Sequence, residues 1–459
     1  MAKRPRSNLS RIVALLSAFD AQNTPMHTQD LLKRTEIGRA TAYALIRALV
    51  SKGFLERADH GLLRLGPRAA DLIYSPVEPE LALTAISTVA LGPGQIPSPS
   101  DGDAFEPEWR ADLVERVQTS QFYKPGRVSI GFANASLSNP WRESLLASMR
   151  YAVQLNSDRI SEFTTRTADD DPEKQILQIN QLVEAGVDLL IVSCPNVNHS
   201  GLNNRILEVA KNRVPVVALD RRPSDPSGLV SFVTASDTRI GRITARWMVE
   251  QLGMSGRIWL LSGVEGASPA IRRQAAALAV FSRAANIVVE AVAYTDWTRD
   301  GGYAAIDRLL DQAGRPPEGV WCDSGLQGVG SVERFLEFGQ ELPIHTGGDV
   351  NQMYKAALHN KLPFVAVDYP AAMGGRAIEV ALDILSGKAV RRRVELAAPV
   401  VLPRGGETRS VRADAWAETF VRWDLPDDAI LSQGPSLRDV ELRLHQLRSQ
   451  AQPNATGRL

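Results

Sequence analysis

Cysteine is almost missing from the 459 residues: Cys194 and Cys322 are the only two. A pair that is not arranged as Cys-x-x-Cys cannot build a disulfide framework, and a reducing cytoplasm is the simplest compartment for such a chain. No uncharged apolar run approaches the roughly 20 residues that a membrane span requires. The six histidines are scattered without metal-ligand spacing, so no metal is expected. The glycine-rich stretch Ser262-Gly263-Val264-Glu265-Gly266 has neither Gly-Lys-[Ser/Thr] nor GxGxxG, which argues against a phosphate loop, and no cofactor is expected. Asp323-Ser324-Gly325 invites comparison with a nucleophile elbow, but Gly-x-Ser-x-Gly does not occur.

What remains is ordinary globular material, 44% hydrophobic and 23% charged. The length corresponds to about three folding units. Net charge is also lacking, 52 basic residues facing 52 acidic ones, but the balance is uneven along the chain. Residues 1–74 carry twelve basic against six acidic side chains, so the rest of the chain is acidic by the same margin. A basic end on an acidic chain suggests a module that meets a polyanion. Lys3, Arg4 and Arg6 ahead of Ile12–Leu16 imitate the start of a signal peptide. The apolar run is short, however, and Leu9, Ile12, Val13, Leu16 and Phe19 keep helical spacing, which favours a folded amphipathic helix.

That helix, roughly 8–20, opens a compact order of elements. A second helix begins at Thr28 with Leu31 and Leu32 inward, and a third runs from about Gly38 to Lys52 with Ala42, Leu45, Ile46 and Leu49 as its inner stripe. Gly53 stops it. Phe54–Arg57 and Leu62–Leu65 flank the turn Asp59-His60-Gly61, reading as a hairpin. Three helices and a hairpin make a winged helix-turn-helix. Opposite the stripe lie Arg39, Ala40, Tyr43, Ala44 and Arg47: small residues for close approach, and arginines and a tyrosine for bases and phosphates. Arg57 and Arg64 fall on the wing. The competing reading is a small helical protein-interaction module with arginines on a solvated face; the local positive charge favours DNA.

Residues 8–72, through Arg39-Ala40-Thr41-Ala42-Tyr43-Ala44-Leu45-Ile46-Arg47-Ala48-Leu49, Lys52–Arg57 and Leu63–Gly66, resemble the IclR-type winged-helix domain of bacterial transcriptional regulators. The resemblance implies that the third helix reads DNA and assigns contacts to Arg39, Thr41, Tyr43 and Arg47. Nothing downstream matches that family's usual effector domain.

Seven prolines and turn-forming clusters mark 75–126 as a linker, with one short helix expected from Glu108 to Thr119. From Arg127 short apolar strands alternate with amphipathic helices, first through Pro215–Leu219 and then afresh from Gly256. Two doubly wound parallel units imply two lobes facing a cleft, with ligands beyond the carboxyl ends of the strands. The loops there are rich in fork-shaped polar groups and aromatics: Asn139, Trp141, Arg142, Asp220, Arg221, Arg272, Arg273, Trp297, Asp323, Ser324, Asp349, Asp368 and Tyr369. A sugar needs such a mixture, its C–H faces on aromatics and its hydroxyls between Arg and Asp.

Residues of about 127–405 resemble the ribose-binding-protein superfamily, also used as the effector domain of LacI-type repressors. The matching stretches are Ser138–Trp141, Ala218–Arg221, Ala235–Asp237, Gly266–Ser268 with Arg273, and Gly347–Asp349. The resemblance places Asn139, Trp141, Arg142, Asp220, Arg221, Arg273, Trp297, Ser324, Asp349 and Asp368 around the sugar. Ser324, Asp368 and Arg142 depart from the pentose receptors, which puts ribose itself in doubt. The expected fold is thus multidomain: a winged helix-turn-helix at 1–74, a linker at 75–126, a two-lobed α/β periplasmic-binding-protein type 1 domain at 127–412, and a tail at 413–459 with a helix near 436–449. Lobe crossovers are expected near 235–240, 366–370 and 396–401.

The combination points to a cytoplasmic DNA-binding regulator that senses a sugar or polyol, as a homodimer or higher even oligomer, with operator DNA as partner. Two rivals are a transport receptor and an enzyme using Asp220, Asp349 and Asp368 as acid and base; the neighbouring arginines should hold those carboxylates ionised instead. Cys322 is expected in the core, and Arg391-Arg392-Arg393 in a solvated loop.

Overall fold

The computed structural model describes residues 15, 18–19, 25–35, 37, 39–51, 55–58, 62–65, 112–339 and 341–432. The chain divides into two compact units: Met1–Glu80 with Thr408–Arg412, and the remainder.

In the first unit, helix α1 spans Thr28–Thr35 and α2 spans Arg39–Ser51. Strands β1, Leu55–Arg57, and β2, Leu63–Leu65, pair antiparallel with Leu55 opposite Leu65. Met26 adds an isolated bridge to Leu63. Leu31 from α1, Ala42, Ile46 and Leu49 from α2, and Leu55 and Leu63 from the hairpin bury together with Leu15 and Phe19. The spacing of 42, 46 and 49 turns one helical stripe inward, so the residues at 39, 43 and 47 face away from it. The expected turn at 59–61 and most of the expected helix 8–20 lie outside the described residues.

Among the described residues the second unit holds two large sheets and one two-stranded sheet. Strands β3 (Arg116–Val117), β4 (Val128–Asn134), β5 (Ile160–Thr167), β6 (Leu189–Val192), β7 (Val216–Leu219) and β8 (Ser231–Thr234) come first, with helices α3 (Pro140–Leu155), α4 (Pro172–Glu184) and α5 (Ser200–Lys211) between them. The chain then crosses into α6 (Asp237–Gln251), β9 (Ser255–Ser262), α7 (Ser268–Phe281), β10 (Asn286–Tyr294), α8 (Arg299–Ala313), β11 (Gly319–Cys322), α9 (Gly325–Glu337), β12 (Ile344–Thr346), α10 (Asn351–His359) and β13 (Phe364–Val367). It returns through α11 (Met373–Leu385), β14 (Val390–Arg391) and β15 (Arg393–Glu395), and crosses once more to β16 (Val400–Leu402), β17 (Ala415–Trp416) and α12 (Ala417–Phe420).

The first lobe's sheet runs β15-β8-β7-β6-β4-β5, parallel throughout. The second runs β10-β9-β11-β12-β13-β16-β17, parallel except where β16 meets β13. Each inner strand is covered on both faces, so β6, β7, β11 and β13 are buried along their whole length. The three passages between the sheets lie at 235–236, 368–372 and 396–399.

Three expectations need correction. The segment 108–119 is not one helix: Arg116 and Val117 form β3 and pair antiparallel with β14. Thr119 donates to the Lys388 carbonyl at 2.6 Å and the Lys124 amide to the Leu385 carbonyl at 2.9 Å. The stretch from 112 therefore packs on the first lobe instead of linking to it. The tail likewise begins late, since β17 extends the second sheet and α12 follows it; the helix expected near 436–449 lies outside the described residues. Arg391–Arg393 is not a solvated loop. Arg393 is buried over the Phe232 ring at 5.4 Å and paired with Glu395, while Arg392 meets Glu115 at 2.8 Å. Arg391 alone is exposed, and a run of charges in sequence does not disclose that Arg393 is buried against a ring.

Candidate functional site

On α2, Arg39, Tyr43 and Arg47 are exposed, and Thr41 is half-buried. Tyr43 shows 47% of its surface, unusual for so large a ring. Arg57 is exposed on the hairpin, whereas Arg64 is half-buried and paired with Glu56 across the two strands. One exposed face of α2 thus carries two cations and a phenol at helical repeat.

In the second unit, the strand ends border a cleft of about 320 Å³, part of it open to solvent. It is lined by Asn139, Trp141, Arg142, Asp220, Arg221, Pro269, Arg273, Trp297, Ser324, Leu326, Asp349 and Tyr369. Nine of the ten side chains expected around a sugar are thus gathered at one place. Asp368 is the exception. It is wholly buried behind the wall, where its Oδ1 accepts the Asp349 amide at 2.7 Å.

Local sequence explains much of the placement. Asn139 caps α3, accepting from the Arg142 amide, with Pro140 fixing the first turn. Ser324 caps α9 through the Leu326 amide. Both caps put a helix amino terminus, with its partial positive charge, against the space. Asp220, Trp297 and Asp349 have φ of 63°, 52° and 77°. Left-handed backbone at three non-glycine positions is strain retained at one site, and it aims their side chains inward.

The charges are neutralised within the wall. Arg142 Nη1 donates to Asp220 Oδ2 at 2.6 Å, its Nη2 to Ser193 Oγ at 3.1 Å and also to Asn134, and its Nε to the Ser136 carbonyl. Burial and the nearby Arg221 lower Arg142 to about 10, which still leaves it a cation at neutral pH. Arg221 Nη1 meets Asp170 at 2.6 Å, and its guanidinium lies over the Trp297 ring at 5.1 Å. Arg273 Nε meets Asp237 at 2.9 Å and its Nη1 donates to the Asp323 carbonyl. Burial works against the charge on Arg273, but Asp237 and its neighbours hold it above the ordinary value.

Tyr369 is among the strand-end residues named from sequence but not among the ten contacts that the resemblance implied; it follows Asp368 at the end of β13. Its ring stacks on Trp141 at 5.2 Å and lies under Arg273 at 4.2 Å. Its hydroxyl donates to Asp220 Oδ1 at 3.1 Å, its amide donates to Asp349 Oδ1 at 2.8 Å, and its carbonyl accepts from Trp141 Nε1 at 2.9 Å. It therefore ties first-lobe groups to second-lobe groups from within the passage 368–372. The signal in sequence was an aromatic at a strand end, but the adjacent acid drew the assignment. Pro269 and Leu326 carried no signal of their own.

The lobes are closed on each other. The Val197 amide donates to the Gly266 carbonyl at 2.9 Å and the Arg222 amide to Ser268 Oγ at 3.2 Å. The glycine-rich stretch set aside as a phosphate loop serves here. A β-carbon on Gly263 would lie 1.8 Å from the Trp297 indole, and one on Gly266 would lie 2.6 Å from Asn196 Nδ2.

The expectation that arginines hold the acids ionised is corrected for Asp368. Burial raises Asp349, against the pull of Arg273. Burial and the Asp349 charge push Asp368 up to about 8, so it is protonated at neutral pH. Asp323, which accepts from Trp297 Nε1 at 2.9 Å, is pushed up to about 6 by burial. Cys322 is wholly buried in the core of the second lobe, and its thiol is held well above the ordinary range by burial. Among the described residues no helix is long and apolar enough to cross a membrane, and no cluster of His, Cys, Asp or Glu is arranged to hold a metal.

Comparison with known proteins agrees with both halves. Residues 130–389 match the periplasmic binding protein domain, and residues 8–59 match the IclR helix-turn-helix domain. The ribose import binding protein RbsB of Bacillus subtilis (strain 168) is 26% identical over 269 residues, 58% of this chain and 84% of that protein. The xylitol-binding protein of Mycolicibacterium smegmatis is 25% identical over 179 residues, 39% of this chain and 50% of that protein. Among solved structures, an ABC transporter solute binding protein from Bacillus halodurans C-125 with bound myo-inositol superposes with a TM-score of 0.56 at 19% identity, covering 62% of this chain and 97% of that one. The periplasmic binding component of the arabinose ABC transporter from Shewanella sp. ANA-3 gives 0.55 at 22%, covering 59% and 91%. At such identities the structural likeness is one of fold, and it is the fold of two α/β lobes on mostly parallel sheets. With more than half its length matched, the chain belongs to the periplasmic binding protein domain family, here fused behind an IclR helix-turn-helix domain.

Proposed function

We propose that the protein is a DNA-binding transcriptional regulator of carbohydrate uptake or catabolism that senses an uncharged sugar or polyol between its lobes. The observation that carries the ligand class is the charge balance of the cleft. Each lining arginine already has a carboxylate within 3 Å: Arg142 has Asp220, Arg221 has Asp170 and Arg273 has Asp237. A phosphate or sugar acid would find no uncompensated cation there, and burying its charge would be costly. A polyhydroxyl ligand meets what it needs: guanidinium N–H groups and carboxylate oxygens for its hydroxyls, and the Trp141 and Trp297 rings for its C–H faces. Asn139, Trp141, Arg142, Asp220, Arg221, Arg273, Trp297, Ser324 and Asp349 are the contacts in this reading, with Tyr369 added and Asp368 moved behind them.

The relatives named as ribose- and xylitol-binding proteins support this class. The helix-turn-helix domain supports DNA as the partner, with Arg39, Thr41, Tyr43, Arg47, Arg57 and Arg64 in contact, and a cytoplasmic site of action. A homodimer would read two half-sites on one face of the duplex. Both matched domains are binding domains, and the cleft is assigned no catalytic step. A thermal-shift screen of the full chain against pentoses, hexoses, polyols and their phosphates and acids tests the reading, since a bound ligand raises stability by mass action. An uncharged sugar or polyol is expected to raise Tm; a response confined to the anionic analogues would overturn the ligand class. Recovery of the protein outside the cytoplasm, with no retention on DNA, would favour a transport receptor.

A further inference from the structure

Behind the cleft runs a segment, residues 426–432, that the sequence reading placed in a tail beyond the ligand domain. It meets the back wall at several points. The amides of Asn351 and Gln352, the first two of α10, donate to the carbonyls of Ala429 at 2.8 Å and Asp427 at 2.9 Å. Helix α10 has no side-chain cap at Val350, so these carbonyls take up donors that a cap would otherwise serve. Val350 bridges antiparallel to Ile430, whose side chain is buried. The Leu431 amide reaches the Asp349 carbonyl at 3.4 Å. Ser432 then crosses to the interlobe passage: its Oγ donates to the Tyr369 carbonyl at 2.9 Å, and its own carbonyl accepts from the Ala372 amide at 3.2 Å, just ahead of α11.

The segment thus joins the start of a second-lobe helix to the entry of a first-lobe helix. Asp349 and Tyr369, both lining the cleft, lie between these anchor points. Asp349 has left-handed backbone, and its own carboxylate oxygens are taken up by Ser324 Oγ at 2.5 Å and the Tyr369 amide at 2.8 Å. Its main chain is held from behind, by Asp368 at the amide and by the segment at the carbonyl.

We propose that residues 426–432 are a strap that positions Asp349 and Tyr369 for the ligand, with Ser432 as the positioning residue that ties it to the interlobe passage. The strap rests on the sugar-binding reading of the cleft. A sugar that contacts the two residues is therefore bound less well when the strap is loosened, although no strap residue touches it.

The test uses the full chain and the variants Ser432→Ala, Ser432→Thr and Ile430→Ala. Hydrogen exchange of the amides at 349–352 and 369–373 is followed without ligand, and affinities for D-ribose, L-arabinose, xylitol and myo-inositol are measured by calorimetry. Ser432→Ala should speed exchange in those two segments alone and weaken the best probe about tenfold, the scale of one hydrogen bond. Ser432→Thr, which keeps the hydroxyl, should restore both, and Ile430→Ala should exceed Ser432→Ala. Unchanged affinity in Ser432→Ala, or acceleration spread evenly over both lobes and not rescued by threonine, overturns the strap. If no probe binds the parent protein, the sugar reading fails by itself. Exchange then decides the strap alone, local acceleration supporting it and none or uniform acceleration refuting it.

Discussion

Gly263 and Gly266 show how single residues set the cleft. Neither would contact a sugar, yet Gly263 leaves the space that the Trp297 indole fills, and Gly266, at φ of +79°, lets the second lobe approach Asn196 of the first. Gly263→Ala is expected to displace Trp297 and weaken sugar binding at least tenfold; tryptophan fluorescence with a sugar titration would detect both changes, and an unaltered spectrum with full affinity would contradict the argument. Asp368 makes a second residue-scale prediction. Its carboxyl, ordinarily near 3.8, is raised to about 8 by burial and by Asp349. Between those values the folded chain holds a proton that the unfolded chain has lost, so stability falls as pH rises from about 4 to about 8. His345 acts in the opposite direction. Burial lowers it from 6.5 to about 4, so its contribution is intact above 6.5 and is lost as pH falls toward 4. From about 4 to about 6.5 the two effects oppose each other, so chemical denaturation from pH 4 to pH 9 should show little net slope there and a fall from about 6.5 to about 8; Asp368→Asn should remove that fall and unmask a rise on the acid side.

Helices and strands do the aiming. Asn139 at the start of α3 and Ser324 at the start of α9 are caps that also line the cleft, so one residue both begins the helix and faces the space. In the first unit α2 presents Arg39, Tyr43 and Arg47 on its exposed face. Removal of one cation from that face, in Arg47→Ala, should weaken binding to duplexes selected from random sequence by about 1–3 kcal/mol. A loss that is uniform across sequences, with a shallower salt dependence, would assign Arg47 to phosphate; a loss at one position of the site would assign it to a base. Arg142 belongs to this scale too, because it fastens α3 to the end of β7. Arg142→Ala would leave Asp220 buried with one partner fewer, at a cost of about 3–5 kcal/mol, and a Tm that hardly moves would refute the pairing seen here.

At the scale of the whole chain, two binding activities on one polypeptide are proposed to be coupled. If a sugar favours one arrangement of the DNA-reading heads, linkage requires operator to change sugar affinity by the same factor. Calorimetry of the best sugar, with and without operator duplex, should give constants that differ several-fold; identical constants would remove the coupling while leaving each activity intact. Arg273→Ala is expected to abolish the sugar response and spare DNA binding, and Arg47→Ala to weaken DNA binding and spare the sugar response. Loss of both activities in either variant, with the fold preserved, would contradict separate modules.

Periodicity along the sequence was enough for the elements near each site. Ala42, Ile46 and Leu49 bury as one stripe, and the apolar runs at 189–192, 216–219 and 364–367 are buried strands. These signals are local, because a helix or a covered strand repeats over a few residues. Nine cleft residues were legible for the same reason: strand ends in a parallel sheet converge, so polar and aromatic residues at those ends share a place. What the sequence did not disclose depends on approach between distant segments. That Asp368 turns away and Tyr369 turns in, that glycines make room for an indole and an asparagine, that residues from 112 and from 415 onward join the two lobes, and that 426–432 crosses behind Asp349 are matters of which backbone meets which. Short-range pattern carries no record of such meetings, and only the packed chain decides them.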